Sequence, residues 1–147
     1  MTKADPSKLR QARILAVQTL FQFVAPSDEL TKDEAIEFAL LAGNDPEKGY
    51  DSIPDDYFYE LVDGVIANQP QIDEAISKYL TNWNFDRVTA LDLTILRLAF
   101  YEIQFKENPV PIKVAINEAI EVSKVFSDDK SRRFISGILG KLSQSVD

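Results

Sequence analysis

Apolar residues recur three and four positions apart along nearly all of this 147-residue chain, and no useful stretch alternates apolar with polar. A helix returns to the same face every 3.6 residues and a strand every two, so this spacing selects helices around a shared core. In 6–24 the stripe runs through Leu9, Ala12, Ala16, Val17, Leu20 and Phe21, with Phe23 and Val24 beyond. Asp5 and Pro6 supply a capping carboxylate and a proline at the first helical position, where a missing N–H costs little. Thr31 and Glu34 fit a capping box opening a second helix, with Ala35, Ile36, Phe38, Ala39 and Leu41 on it and Gly43 to stop it. Pro46, Gly49 and Pro54 then make a loop.

A third helix is expected over about 55–68, with Tyr57, Phe58, Leu61, Val62 and Val65 inward. Asn68 and Pro70 read as a joint, and a fourth helix follows over about 70–82 through Ile72, Ile76, Tyr79 and Leu80. A long fifth helix over 87–106 ends before Pro109 and Pro111, because a residue preceding proline avoids the helical region. The sixth spans 110–126, and the seventh spans 129–146 with Phe134, Ile135, Ile138, Leu139 and Leu142 inward. Neither an internal repeat nor a linker divides the chain. The expectation is one compact all-α domain over residues 1–147, with about seven helices.

Composition removes whole classes of chemistry. There is no cysteine and no histidine. Disulfides, thiolate sites, a Ser-His-Asp triad, a His-ligated zinc and a Glu-x-x-His di-iron site are therefore excluded. The five glycines are scattered and form no phosphate-cradling loop. Asp128 and Asp129 lack the twelve-residue ligand spacing of an EF-hand, and they read as the start of the last helix, capped by Ser127 or Asp128. Asp55 and Asp56 likewise read as helix-start acids. The expectation is a protein that is not an enzyme, with no catalytic residue, no metal and no cofactor. No apolar run approaches the roughly 20 residues needed to cross a bilayer, and the first residues lack a secretory apolar core, so a cytoplasmic location is expected.

The net charge of −8 opposes general nucleic-acid binding, but its distribution is uneven. Residues 25–63 carry −10, whereas 1–24 carry +3 and 110–147 carry +1. In "KVFSDDKSRRF" the bases Lys124, Lys130, Arg132 and Arg133 surround Phe126 and Phe134. Cations neutralise phosphates, and an exposed aromatic ring stacks on an unpaired base. Phe134 is in register with Ile138 and Leu142 and belongs to the core, while Phe126 ends its helix. If the first helix packs near the last loop, Lys8, Arg10 and Arg13 extend the same basic face. On the sixth helix Lys113, Asn117, Glu121 and Lys124 line a polar face with Glu118 at its edge. That face reads as solvated, as a polar network with Arg97 and Glu102, or as a partner-binding surface.

Four blocks of the chain resemble the NusB family of bacterial transcription antitermination factors. "ARILAVQTLFQF" is similar to the family's first-helix pattern, and "YFYELVDGVIANQPQID" to its third-helix block. "ILRLAFYEI" is similar to its central helix, and "VPIKVAINEAIEVSKVF" with "FISGIL" to its last two helices. The resemblance implies a seven-helix domain that binds boxA RNA with NusE, a small-subunit ribosomal protein. It also implies that the pair joins an elongating RNA polymerase complex, chiefly on ribosomal RNA operons. Carried over, RNA contacts fall on Lys8, Arg10, Arg13, Phe126, Lys130, Arg132 and Arg133, and the NusE surface near Tyr101, Glu102 and Glu118.

The chain also departs from the family pattern. Ile14 stands for a glutamate and Phe21 for a tyrosine, and Leu9 and Gln11 stand where arginine is common. Ser136 and Gly140 replace an asparagine and an aspartate. A thinner basic cluster implies weak RNA affinity without the partner. Two alternatives remain open: an accessory domain of an RNA-modifying system, and a helical interaction module that has lost RNA binding. The apolar first helix also allows a homodimer that hides the RNA face.

Overall fold

The computed structural model describes residues 6–24, 30–43, 56–80, 85–126 and 128–145. Among these the chain is all-α. The helices are α1 (Pro6–Phe21), α2 (Lys32–Gly43), α3 (Asp56–Ser77), α4 (Ala90–Phe100), α5 (Ile112–Phe126) and α6 (Asp129–Ser145). A short 3-10 turn at Phe85–Arg87 precedes α4, and a π-helical turn at Tyr101–Phe105 extends it. The expected cap at Asp5, the loop reading over 44–54 and the cap at Ser127 lie outside the described residues.

Local signals place the ends. Thr31 Oγ1 accepts from the Glu34 N–H at 3.2 Å, and Glu34 Oε1 accepts from the Thr31 N–H at 3.2 Å, which closes the capping box of α2. Asp128 Oδ1 accepts from the Ser131 N–H at 3.0 Å and starts α6. Thr89 does the same for α4 through the Asp92 N–H at 3.2 Å.

The joint expected at Asn68 and Pro70 is absent: α3 runs through Pro70 without a break. The buried stripe explains why. Phe58, Leu61, Val62 and Val65 before the proline share a core with Ile72 and Ile76 after it. Each such side chain contributes about 1.5–3 kcal/mol on burial, against about 3 kcal/mol for an interior proline. Pro70 and Ile66 are exposed, so water can take the Ile66 carbonyl that the proline leaves unbonded. Pro70→Ala restores that N–H. The helix gains about 3 kcal/mol by propensity, less about 1 kcal/mol lost as the unfolded chain loosens, so a net stabilisation of about 2 kcal/mol is expected, read as a raised urea midpoint at unchanged m-value.

α1 packs on α2, α3 and α4, while α5 lies between α4 and α6. The core gathers Val17, Phe58, Ile72, Leu96, Phe100, Ile135 and Leu139 from four helices. Phe21 and Phe38, expected inward, are 45% and 51% exposed. They line an apolar groove of about 430 Å³ with Val17, Leu91 and Phe126.

The π-helical turn carries the geometry of the site. Its Lys106 N–H reaches back five residues to the Tyr101 carbonyl at 3.0 Å, and the Val110 N–H bonds the Glu102 carbonyl at 2.9 Å. Tyr101 and Glu102, the first two residues of the turn, are both buried.

Candidate nucleic-acid interface

Two sets of basic residues reach the surface, on different elements. The first lies where α5 ends and α6 begins. Lys124, Arg132 and Arg133 line an open groove of about 510 Å³ with Ile120, Asp129, Ser136 and Gly137. The antiparallel pairing of α5 with α6 brings them together, because residue 133 returns beside residue 124. Lys130 and Arg133 are exposed. Arg132 pairs with Asp129 one turn earlier, and Lys124 Nζ pairs with Glu121 at 3.0 Å. The α6 cap sits beside this groove, and backbone donation from Ser131 holds the Asp128 carboxyl below its ordinary value.

The second set is on α1, and it does not merge with the first. The C-terminal half of α1 approaches Phe126 through Val17 and Phe21, whereas Arg10 lies opposite Glu118 in the middle of α5. Arg10 Nε and Nη2 each donate to Glu118 at 3.0 Å, to Oε2 and Oε1 in turn. Glu118 and Glu121 therefore stand between Arg10 and the α5–α6 groove. The Glu118 carboxyl is held below its ordinary value, chiefly by the bond from Arg10. Lys8 is exposed on α1.

Arg13, expected on the basic face, is instead in the interior at 5% exposure. Its Nε and Nη2 donate to Glu102 Oε1 and Oε2, both at 2.9 Å, and Nη1 lies 3.7 Å from Glu118 Oε2. Glu102 is 2% exposed and also accepts from the Tyr57 hydroxyl. Burial first, and the Glu102 charge second, push the Tyr57 hydroxyl well above its ordinary value. Arg13 and Lys106 lie over the Tyr57 ring, 5.6 and 5.2 Å from its centre. Burial works against the Arg13 charge, but the bonds from Glu102 outweigh it and hold Arg13 cationic.

The expected partner surface is thus corrected in two of its three residues. Tyr101 and Glu102 are buried, and Glu118 is the one at the surface, half-buried. Both continue the buried face of α4, since the Tyr101 N–H still bonds the Arg97 carbonyl in the α-helical register. Of the polar network read with Arg97 and Glu102, Glu102 is reached from Glu118 through Arg13, whereas Arg97 pairs with Asp73 at 2.8 Å. Phe126 is half-buried and faces the apolar groove rather than the basic one. Sequence reasoning missed Tyr57, Asp73 and Lys106. Arg13 and Glu102 are 89 residues apart in the chain, a pairing that helical spacing alone does not specify.

Among the described residues, no three Asp or Glu side chains gather as a metal site would require, and no helix is long and apolar enough to cross a membrane. Fold and site define an all-α bundle with a cationic groove at one helical junction and a buried Arg–Glu–Tyr network joining α1, α3 and the turn after α4. The chain belongs to the NusB family, whose profile matches residues 10–144. It is 43% identical over 140 residues to the transcription antitermination protein NusB of Bacillus subtilis, covering 95% of this chain and 98% of that one. It is 40% identical over 147 residues to the protein of the same name from Oleidesulfovibrio alaskensis, covering 99% and 93%. The T. maritima NusB structure superposes with a TM-score of 0.72 at 31% identity, over 97% of this chain and 93% of that one. NusB in a crystal structure of antitermination factors NusB and NusE with dsRNA shares the fold, with a TM-score of 0.72 at 20% identity over 96% and 99%.

Proposed function

We propose that this chain is a cytoplasmic, non-catalytic transcription antitermination adaptor. It binds boxA-type single-stranded RNA together with NusE and joins the RNA polymerase elongation complex, chiefly on ribosomal RNA operons. The observation that carries the reading is the groove of Lys124, Arg132 and Arg133 at the α5–α6 junction, in a chain whose relatives are antitermination proteins. Lys130 is exposed on the first turn of α6. A few cations on an acidic protein give weak, salt-sensitive binding, and a protein partner extends the surface. The interior position of Arg13 and the pairing of Arg10 leave α1 with few free cations, so we assign the burden to Lys130 and Arg133, with Arg132 exchanging its Asp129 pair for a phosphate. Glu118 and the exposed α5 face around it offer ground for NusE.

Fluorescence anisotropy of a labelled boxA-like RNA against a scrambled one tests this, with and without NusE at two salt concentrations. Preferential binding that tightens with NusE is expected. Alanine at Lys130, Arg132 or Arg133 is expected to weaken binding to all sequences alike and to lower the salt slope by about one each. Absence of discrimination in both conditions, with NusE binding retained, points instead to an interaction module without RNA.

A further inference from the structure

We infer that Glu118 is a built-in competitor of RNA: it occupies the Arg10 guanidinium in the free protein, and an RNA phosphate must displace it. The inference rests on the adaptor reading above.

The geometry is that of a site already filled. A guanidinium fork takes a carboxylate or a phosphate through the same two parallel N–H bonds. Glu118 uses both its oxygens on that fork. The Arg10 side chain is 42% exposed and that of Glu118 13%. The acid is therefore anchored in the surface, while the base can swing into solvent. Arg13 makes the asymmetry functional. It stays bonded to Glu102 and keeps Nη1 3.7 Å from Glu118, so the carboxylate retains a cation when Arg10 leaves. Releasing Arg10 thus strands no buried charge, which is the usual heavy cost of opening an ion pair. Glu121, one turn further along α5, adds negative charge beside Arg10 and is itself tied to Lys124. Exposed ion pairs are weak in water and screened by salt, so exchange for a phosphate is close to balanced.

The test is anisotropy with the boxA-like RNA on four proteins: the parent chain, E118Q, R10Q and R10Q/E118Q. E118A is a further variant that removes the acceptor altogether, and circular dichroism confirms that each one folds. E118Q or E118A is expected to bind the RNA on the order of three- to tenfold more tightly than the parent, with a salt slope steeper by about one. R10Q alone, which removes the guanidinium and leaves Glu118 charged beside the RNA, is expected to weaken binding by about threefold, and R10Q/E118Q to return to about the parent value. If neither Glu118 variant tightens binding, or if the gain survives in R10Q/E118Q, the inference is overturned. A parent that fails to bind RNA even with NusE overturns the adaptor reading itself and the inference with it. A parent that binds while both Glu118 variants remain at its level removes only the competitor role.

Discussion

Arg13→Ala is expected to cost about 3–5 kcal/mol of unfolding free energy. The substitution leaves the buried Glu102 carboxyl with the Tyr57 hydroxyl as its one remaining side-chain donor among the described residues. Coulomb attraction in a low-dielectric interior is large, but desolvating both ions consumes much of it, so most of the loss comes from the stranded charge. Glu102→Gln, which leaves the guanidinium with Glu118 at 3.7 Å as its counter-ion, is expected to lose less. Replacing the whole network tells the two terms apart. In R13M/E102L/Y57F no buried polar group is left without a partner, and stability is expected within about 2 kcal/mol of the parent. Urea unfolding at constant m-value is the measurement. A single Arg13→Ala variant that lost less than about 1 kcal/mol would show that water reaches the pair.

Gly64→Ala is the second large effect, and its sign is diagnostic. By helix propensity alone, alanine at the middle of α3 is worth about 1 kcal/mol of added stability. The structure predicts the opposite. A Cβ at position 64 would lie 2.2 Å from Cζ of Tyr101 and 2.4 Å from its Cε1. The ring is rigid and buried, and it sits where the π-helical turn puts it, so relief requires moving the turn or expelling the ring. A net loss of about 2–3 kcal/mol is expected. In a Tyr101→Leu background the same Gly64→Ala change is expected to cost nothing or to stabilise, because the clash is gone. A stabilising Gly64→Ala in the parent chain would refute the close packing of Tyr101 on α3.

The helical class, the capping box of α2 and the stripes of α1, α3 and α6 could be read from spacing because they depend on neighbours three or four residues away. Pro70 misled that reading. A local rule ends a helix at proline, and only the buried residues on both sides, which are set by the tertiary core, override it. The site was less legible still. Lys124, Arg132 and Arg133 lie close in sequence and meet in one groove. Arg13 is four residues after Leu9 and four before Val17, inside the apolar stripe of α1, whereas Arg10 lies at its edge, so spacing already separates the two. The partner that receives Arg13 is what spacing could not give: Glu102 stands 89 residues away. The exposure of Phe21 and Phe38 escaped notice for a related reason, since an apolar stripe gives the side of a helix but not whether another element covers it.

The π-helical turn at Tyr101–Phe105 also sets a phase. Each residue of an α-helix advances the chain by about 100°, so a turn closed over five residues carries one step more than the regular form. Delete that step and the hydrogen bonding becomes ordinary, but everything before the turn rotates against everything after it. The irregularity is therefore a gear tooth: it meshes the face that α4 offers to α3 with the direction in which α5 sets out.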